Sequence, residues 1–279
     1  MRTYPFKLVN VFAESHFGGN PLAAFPQADG LSDEEMQQIA TQFNLSETVF
    51  AFRSQNAVAD LRIFTPAYEL PLAGHPTLGC AYVLQQQQNL PEQFVLNTPA
   101  KAVRLCGKNA KMEMAITGYT IQASKAKVTE LANALGLSES DISPTAYWLN
   151  SGSPQLLLQL KNHISLERIK VDFAQLAQIC QQDNGRTAIY VWYEQDDTIF
   201  SRFFYGDNGV MLEDSGTGSA CANLGAYFLS QGKFPLIRQI HQGDQMGRAN
   251  RLSLRLDEQQ TIYVGGNVIE VGEGNFKLP

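Results

Sequence analysis

Two apolar segments constrain the fold of this chain more than any other feature of its sequence. His75–Leu84 and Gly218–Gln231 have the length and composition of helices, but neither has a polar face. A helix that is apolar on all sides is normally buried. Pro76 suits a first helical position, where its missing N–H costs no hydrogen bond. The sequence therefore predicts two helices, each at the centre of its own core.

The residues that precede the two helices also resemble each other. Gly19-Asn-Pro-Leu22 has a counterpart in Gly152-Ser-Pro-Gln155, and Arg62-Ile-Phe64 has one in Arg202-Phe-Phe204. Each arginine-containing run leads, after a loop, into the glycine that opens an apolar helix. The matched stretches are short, so chance similarity remains an alternative to duplication. Under duplication we expect two similar α/β halves related by a pseudo-twofold axis.

Length and composition agree with two packed halves. The chain has 279 residues, of which 44% are hydrophobic and 17% are charged, as is typical of a globular protein. We expect an N-terminal half at residues 1–120 and a C-terminal half at residues 121–279, with a last strand that can cross back to the first half. The net charge of −6 comes without a basic cluster, which disfavours a nucleic-acid partner.

Cysteine placement and the N-terminus indicate the compartment. The four cysteines, Cys80, Cys106, Cys180 and Cys221, are widely spaced, so they resemble neither a disulfide framework nor a zinc site. The N-terminus lacks the pattern of a signal peptide, and no run of 18 apolar residues occurs. We therefore expect a soluble, cytoplasmic protein without a membrane partner.

Local patterns predict further elements. Ser32 and Glu35 have the spacing of a capping box at the start of a helix. Glu47–Phe52 is a strand-like run. From Ile237 onward we expect a series of short strands with glycine-containing turns, including Gly265-Gly266.

The starts of the two apolar helices form the first candidate site. A helix N-terminus presents free N–H groups and a partial positive charge, so it favours carboxylates and other anions. In a pseudo-twofold arrangement the matching starts, at Gly74-His75 and at Gly218-Ser219, would face one cleft. Together they could hold a carboxylate-bearing substrate or stabilise an enolate-like intermediate.

Three titratable residues stand out near these features. Glu47 begins a strand with apolar residues beyond it, where desolvation would raise the pKa of a carboxyl toward that of a general base; a cap or a surface ion pair is the alternative. His75 lies at a helix start whose positive end would keep the imidazole neutral; a histidine that merely caps the turn is the alternative. Asp214 precedes a glycine-rich turn that resembles an anion-binding loop but lacks the Walker element. The histidines show no metal-binding spacing.

Taken in order, these segments closely resemble the PhzF-like (phenazine biosynthesis) family of isomerases. The resemblance spans residues 6 to 274. Each motif is weak alone, and the ordered set is specific. The motifs are Val9-Asn-Val-Phe12, Phe17-Gly-Gly-Asn-Pro-Leu-Ala23, Asn44-Leu-Ser-Glu-Thr48, Arg62-Ile-Phe-Thr-Pro66, Ala73-Gly-His-Pro-Thr77, Glu213-Asp214 with Thr217-Gly-Ser-Ala220, and Gln242-Gly243 with Met246-Gly-Arg248.

The resemblance implies an α+β, diaminopimelate-epimerase-like fold of two pseudo-symmetric halves, each a β-barrel-like sheet around a central helix. It also implies a homodimer and an active site between the halves that needs no cofactor and no metal. The family's general acid/base glutamate, its histidine and its aspartate match Glu47, His75 and Asp214. The family's glycine and serine at the helix starts match Gly74 and Ser219, and we expect Asn20 and Gly218 to bind substrate together with them.

Two departures from related patterns concern the mechanism. The usual family loop, Asp-Pro-Ala-Thr-Gly, is Asp214-Ser-Gly-Thr-Gly218 here. Relatives on this fold that racemise amino acids use two opposed cysteines, and the matching positions look like Ala73 and Ser215, neither of which supplies a thiolate. Cys80 and Cys221 lie on the apolar helices and are interpreted as packing residues.

These observations predict a proton-transfer isomerase that acts on a small carboxylate-bearing metabolite, with Glu47 as the general acid/base. Two alternatives stay open. One is a racemase or epimerase of an amino acid or hydroxy acid, and the other is a non-enzymatic module that binds a metabolite on the same scaffold. Fold and site do not name the substrate.

Overall fold

The computed structural model describes residues 1–182, 185–207 and 209–279. The chain forms two compact units: unit 1 contains Met1–Ala115 and Tyr263–Pro279, and unit 2 contains Ile116–Ile262. The end of the chain thus returns to the first unit. Among the described residues, no helix is both long and apolar enough to span a membrane.

The described part of the chain contains 17 strands and six α-helices. In chain order they are β1 (Arg2–Val11), β2 (Asn20–Phe25), α1 (Asp33–Phe43), β3 (Glu47–Phe52), β4 (Asp60–Phe64), β5 (Glu69–Leu70), α2 (Gly74–Gln88), β6 (Gln93–Asn97), β7 (Ala102–Lys108), β8 (Lys111–Ile116), β9 (Thr120–Ala123), α3 (Val128–Leu135), β10 (Tyr147–Asn150), β11 (Pro154–Gln159), α4 (His163–Arg168), α5 (Phe173–Cys180), β12 (Thr187–Gln195), β13 (Thr198–Asp207), β14 (Val210–Asp214), α6 (Gly218–Ser230), β15 (Leu236–Gln242), β16 (Asn250–Leu256) and β17 (Ile262–Leu278).

The strands of unit 1 close into a barrel. Hydrogen-bonded neighbours follow the order β1, β2, β3, β4, β6, β7, β8 and β17, and β17 pairs again with β1. The β2/β3 and β4/β6 pairs are parallel. Parallel neighbours need a long crossover connection, which α1 and α2 supply here. Because β17 joins the first strand to the last, the end of the chain completes the barrel.

Helix α2 lies at the centre of unit 1, as its apolar sequence predicts. It packs against β1, β2, β3 and β7. Every residue from His75 to Leu84 is buried except Tyr82. A side chain at Gly79 would approach Leu22 Cδ2 to 2.4 Å and Val11 Cγ2 to 2.9 Å. Glycine therefore lets the helix pack directly onto the first two strands, which positions its N-terminus beside the start of β2.

Helix α1 covers another part of unit 1. Its N-terminus has the predicted capping box, because the Glu35 N–H donates to Ser32 Oγ at 3.2 Å and the Ser32 N–H donates to Glu35 Oε2 at 3.0 Å. Such a cap stabilises a helix by about 1 kcal/mol. The buried face of α1 carries Met36, Ile39 and Ala40. This face packs in a cluster that includes Phe25.

Unit 2 repeats this topology. Its strands pair in the order β9, β10, β11, β12, β13, β15 and β16. The β11/β12 and β13/β15 pairs are parallel, like β2/β3 and β4/β6, and β14 pairs with β13 as β5 pairs with β4. Helix α6 is buried and packs against β9, β10, β11 and β16. The prediction of two similar halves around central helices is thus confirmed.

Some local predictions were wrong. Gly265-Gly266 does not form a turn, because β17 continues from Ile262 to Leu278. A side chain at Gly265 would meet the Met112 carbonyl oxygen at 2.1 Å, so this glycine permits close strand packing instead. Pro76 is the third helical residue of α2, since the helix starts at Gly74. Helix α4 was not predicted, because its six residues give too short a periodic signal.

Candidate active site

The candidate residues of unit 1 lie where two parallel strands start. Strand β2 begins at Asn20 and β3 at Glu47, and Leu22 lies opposite Glu47 in the parallel register. The Ser46 hydroxyl donates to Asn20 Oδ1 at 3.2 Å. Parallel strands begin at the same edge of a sheet, so two polar residues that are far apart in the sequence come together.

Helix α2 brings His75 to the same edge. His75 is the second residue of the helix, and its Nε2 lies 3.5 Å from Glu47 Oε2. Both side chains are well shielded from solvent, with exposed fractions of 7% for His75 and 17% for Glu47. The structure thus pairs two of the three titratable residues that the sequence analysis singled out.

The protonation of His75 follows from its surroundings. Burial lowers the pKa of His75 to about 3, and a hydrogen bond to the Pro21 backbone raises it only in part. The ring is therefore neutral at pH 7, as predicted, although burial rather than the helix end is the main cause. Proline has no N–H, so the ring must donate to the Pro21 carbonyl. Since Nε2 faces Glu47, Nδ1 carries that proton and Nε2 is an acceptor.

The start of α2 also offers backbone donors. The preceding residue, Ala73, has no side chain that can cap the helix. The first helical bond runs from the Thr77 N–H to the Ala73 carbonyl at 3.3 Å, and Pro76 has no N–H. The N–H groups of Gly74 and His75 therefore precede the first helical hydrogen bond. Two donors and the positive end of the helix lie next to the Glu47–His75 pair.

In unit 2 the predicted residues surround the start of α6. Asp214 is the last residue of β14, and its Oδ2 accepts a hydrogen bond from Thr217 Oγ1 at 2.6 Å. Gln242 holds this loop from the next strand: its Nε2 donates to the Asp214 carbonyl at 2.8 Å, and its Oε1 accepts from the Thr217 N–H at 3.1 Å. The loop between Asp214 and Gly218 is thus fixed by side chains rather than by its own backbone alone.

Ser219 occupies the second position of α6. Its Oγ accepts a hydrogen bond from Gln155 Nε2 at 2.8 Å. Gln155, Asn223 and Gln242 are almost fully buried, yet no role was predicted for them from the sequence. The available signal was a polar side chain inside an otherwise apolar strand or helix, because such a residue normally needs a buried partner.

Matching ion pairs frame the two helix starts. Arg62 binds Glu69 with Nε and Nη2, both at 2.6 Å, and Arg202 binds Glu213 in the same two-pronged way at 2.8 Å. Each arginine also lies over a phenylalanine two residues later in the chain. These pairs confirm that the repeated Arg-x-Phe motif has the same structural role in both units.

The two arginine–glutamate pairs also show how the sequences of the two units align between each glutamate and the helix that follows it. Gly74 follows Glu69 at the same spacing as Gly218 follows Glu213. His75 therefore matches Ser219, and Ala73 matches Thr217. This internal alignment does not test the match of Ala73 and Ser215 to the cysteines of racemases, which stays a prediction. Alanine, serine and threonine all lack a thiol, so none of these positions supplies a thiolate.

The cysteines serve packing. Cys80 and Cys221 are fully buried, and burial raises the pKa of Cys80 to about 12 and that of Cys221 further still. Both thiols thus stay protonated at neutral pH, which makes them poor nucleophiles and poor bases. Among the described residues, no group of three or more His, Cys, Asp and Glu side chains is arranged to hold a metal ion.

The model of a known family matches this chain over the residues that carry these features. The family is described as phenazine biosynthesis-like protein (PhzC-PhzF), and the match covers residues 9–274. The chain belongs to this family.

Relatives within the PhzC-PhzF family agree. An uncharacterized isomerase of Pasteurella multocida is 49% identical over 279 residues, which cover 99% of this chain and 95% of the relative. The trans-2,3-dihydro-3-hydroxyanthranilate isomerase of Pseudomonas chlororaphis is 32% identical over 98% of this chain and 99% of its own length. The protein is accordingly an isomerase.

Solved structures agree on the fold. A PhzF-family protein of Bacillus anthracis superimposes with a TM-score of 0.87 at 24% identity, and the match covers 100% of both chains. A hydroxyproline epimerase of Agrobacterium vitis gives a TM-score of 0.61 at 9% identity, covering 98% of this chain and 92% of the epimerase. At these identities the likeness concerns the fold alone, and it confirms the predicted diaminopimelate-epimerase-like architecture.

Proposed function

We propose that this PhzF-family isomerase moves a proton between carbon atoms of a small, unsaturated carboxylate without a cofactor, and that Glu47 is its general acid/base. The observation that supports this most is the buried Glu47–His75 pair, with Nε2 of a neutral imidazole 3.5 Å from a carboxylate oxygen. An unprotonated Nε2 can accept a hydrogen bond from Glu47 only when that carboxyl carries a proton. His75 would therefore stabilise the acid form that Glu47 reaches after it has removed a proton from carbon.

In this proposal one carboxyl both removes and returns the proton. Glu47 takes a proton from one carbon of the substrate, the electron pair shifts along the conjugated system, and the Glu47 carboxyl then protonates another carbon. No net proton is gained or lost, so no redox partner is needed. Donors at the helix starts, the N–H groups near Gly74 and the Ser219 hydroxyl, would bind the substrate carboxylate and spread the developing negative charge.

The remaining predicted residues complete the proposal. Asp214, Asn20 and Gly218 would bind and orient the polar groups of the substrate. The sequence matches to relatives named as trans-2,3-dihydro-3-hydroxyanthranilate isomerases cover nearly the whole chain. The substrate class we propose is therefore a cyclic, dihydroaromatic amino acid. The names of these relatives support the substrate class, and the chemistry of the residues supports the mechanism.

The test is proton NMR in deuterated buffer with trans-2,3-dihydro-3-hydroxyanthranilate and a panel of unsaturated cyclic carboxylates. We expect the wild type to incorporate deuterium at one carbon and Glu47→Gln to lose at least about 10³-fold in that rate, at the upper range of general acid/base effects. The matched control is Glu34→Gln, which removes an exposed carboxyl from α1 in the same unit. Exchange by Glu47→Gln at the wild-type rate would falsify the assignment, and racemisation at the labelled carbon would point to an epimerase instead.

A further inference from the structure

A chain of buried amide side chains runs from the backbone of unit 2 to Ser219. It starts at Asn223, which is 1% exposed within the apolar helix α6. Asn223 Oδ1 accepts from the Ser151 N–H at 2.8 Å, and Asn223 Nδ2 donates to the Ser153 carbonyl at 2.9 Å. A backbone N–H can only donate and a carbonyl can only accept. These two backbone partners therefore fix which end of the Asn223 amide is which.

The next link has only one possible direction. Asn223 Nδ2 also donates to Gln155 Oε1 at 2.8 Å, and Gln155 is 2% exposed. With its oxygen used in this bond, Gln155 must turn its NH₂ group to its other neighbour, the Ser219 hydroxyl, 2.8 Å away. The backbone at Ser151 and Ser153 thus determines the hydrogen-bond direction at Ser219.

The consequence concerns the hydroxyl proton. A serine hydroxyl has one donor and two acceptor positions. Because Ser219 Oγ accepts from Gln155, its own O–H points away from Gln155. Ser219 is only partly buried and lies in the first turn of α6, and the Thr217 side chain before it makes no capping hydrogen bond to the helix. Within this turn, the Ser219 hydroxyl and the backbone N–H groups are therefore donors.

We infer that Gln155 and Asn223 are positioning residues that hold the Ser219 hydroxyl as a donor, so the ligand atom at Ser219 is an acceptor such as a carboxylate oxygen or a developing oxyanion. This inference rests on the proposed function, in which Ser219 touches the substrate.

Unit 1 shows that the fold does not need these hydrogen-bonded amide side chains. In the repeat, Gln155 matches Leu22, and Asn223 matches Gly79. Leu22 and Gly79 lie against each other in unit 1 as Gln155 and Asn223 do in unit 2, but they pack through apolar contact. The same topology forms with an apolar pair at these positions. The buried polar pair in unit 2, which burial makes costly unless fully bonded, therefore has a purpose other than packing.

The first arm of the test needs no substrate. In ¹⁵N-labelled protein, Ser219→Ala removes the acceptor of Gln155 Nε2–H but none of the partners of Asn223. We expect the Gln155 side-chain amide signals to shift and to exchange faster with solvent, while those of Asn223 stay in place. Gln155→Glu and Asn223→Asp assign the signals by their disappearance. An unchanged Gln155 amide in Ser219→Ala would overturn the inference.

The second arm reverses the polarity at Ser219. A carboxylate at position 155 accepts from both Asn223 and Ser219, so Gln155→Glu turns the serine proton away from the ligand. Gln155→Met removes both bonds and leaves the hydroxyl free to rotate. With trans-2,3-dihydro-3-hydroxyanthranilate as the probe, we expect KM to rise at least about 10-fold in Gln155→Glu, as for a lost hydrogen bond to a charged group, and less in Gln155→Met. A purely structural role predicts the opposite order, because the methionine loses more bonds.

The matched control is Gln231→Glu. Gln231 donates to the Ser230 hydroxyl at the other, exposed end of α6, so it has the same bond and the same charge change. We expect its KM to equal that of the wild type. Lower pH should partly restore Gln155→Glu, because a protonated carboxyl can donate to Ser219 as the amide does. If the wild type does not act on the probe, the proposed substrate class fails, while the amide signals of the first arm still decide the inference.

Discussion

The two units present opposite hydrogen-bonding groups from the same frame. In each unit an arginine forms an ion pair with a glutamate. The number of residues from that glutamate to the start of the buried helix is the same in both units. At the second position of that helix, unit 1 has His75 with an unprotonated Nε2, which accepts, and unit 2 has Ser219 with a hydroxyl that donates. The acceptor lies beside a carboxyl, and the donor lies among backbone N–H groups.

This difference separates what holds the fold from what serves the chemistry. The arginine–glutamate pairs, the parallel strand pairs and the central helices occur in both units. Glu47 and His75 belong to unit 1. Unit 2 instead has Asp214, Thr217 and Gln155. The residues of unit 1 that match these three, in the same order, are Leu70, Ala73 and Leu22. We infer that the shared positions carry stability, and that the divergent ones assign proton transfer to unit 1 and binding of acceptor groups to unit 2.

The largest expected effect breaks this division of roles. His75→Leu removes the neutral acceptor beside Glu47, so we expect kcat to fall about 10²-fold or more, as for a lost acid/base partner, with KM changed little. Ser219→Ala should mainly raise KM, because it removes a binding donor. Steady-state kinetics of both variants on one substrate checks this. The same pattern of kcat and KM in both variants would contradict the division.

The second prediction tests whether the frame is equally important in both units. Arg202 and Glu213 are 11% and 16% exposed, whereas Arg62 and Glu69 are 29% and 30% exposed. Removing one partner of a buried pair leaves an unpaired charge. We expect Arg202→Met to lower the free energy of unfolding by about 3 kcal/mol and Arg62→Met by about 1 kcal/mol, since exposed pairs are worth little.

Urea unfolding measures both values. The control is Arg53→Met, because Arg53 is 92% exposed and its loss should be near neutral. Equal destabilisation by Arg62→Met and Arg202→Met would show that burial does not set the strength of these pairs.

The third prediction concerns pH and His75. Its folded-state pKa of about 3 lies below the unfolded value of 6.5, so the unfolded chain binds the proton more readily between those values. Stability contributed by neutral His75 is therefore present above pH 6.5 and lost as pH falls toward 3. Between pH 6.5 and pH 5 this amounts to about 2 kcal/mol.

Urea unfolding at several pH values checks this slope. His75→Gln should flatten the fall in unfolding free energy over that interval, whatever its stability at pH 7. The control variant is His163→Asn, which removes a more exposed histidine. If the slope is the same in His75→Gln and in the wild type, His75 titrates normally and is not the neutral acceptor described above.

Prediction from the sequence succeeded where the signal is local or periodic. The capping box of α1, the two buried helices and most strands follow from residue spacing. The continuous strand β17 was missed because its glycines resemble a turn, and the reason they are tolerated, contact with the Met112 backbone, lies about 150 residues away in the chain. Topology of this kind becomes visible only once the strands are paired.

The candidate site divides in the same way. Motifs and their order in the sequence identified seven candidate site residues: Glu47, His75, Asp214, Ser219, Asn20, Gly74 and Gly218. Their roles stay predictions, as does the homodimer. Gln155 and Asn223 were missed because their hydrogen bond joins positions that are 68 residues apart. A sequence shows that a polar residue sits in an apolar run, but only the fold identifies its partner.

The smallest expected effect comes from making unit 1 more like unit 2 at the helix start. Ala73 precedes α2 and cannot cap it, whereas Thr217 at the matching place uses its hydroxyl to bond Asp214. Ala73→Ser adds an oxygen that can accept from the His75 N–H only, because Pro76 has none. We expect a gain of about 0.5 kcal/mol in unfolding free energy, at the low end for an N-cap.

The same His75 N–H would then be less available to a substrate carboxylate. We therefore expect KM to rise at least about 2-fold while the protein becomes more stable, since a hydrogen bond of this strength is worth a factor of that size in affinity. Ala100→Ser, at an exposed position in the same unit, should change neither quantity. A more stable Ala73→Ser variant with unchanged KM would mean that the His75 N–H does not bind substrate, and that unit 1 contributes only its acid/base pair.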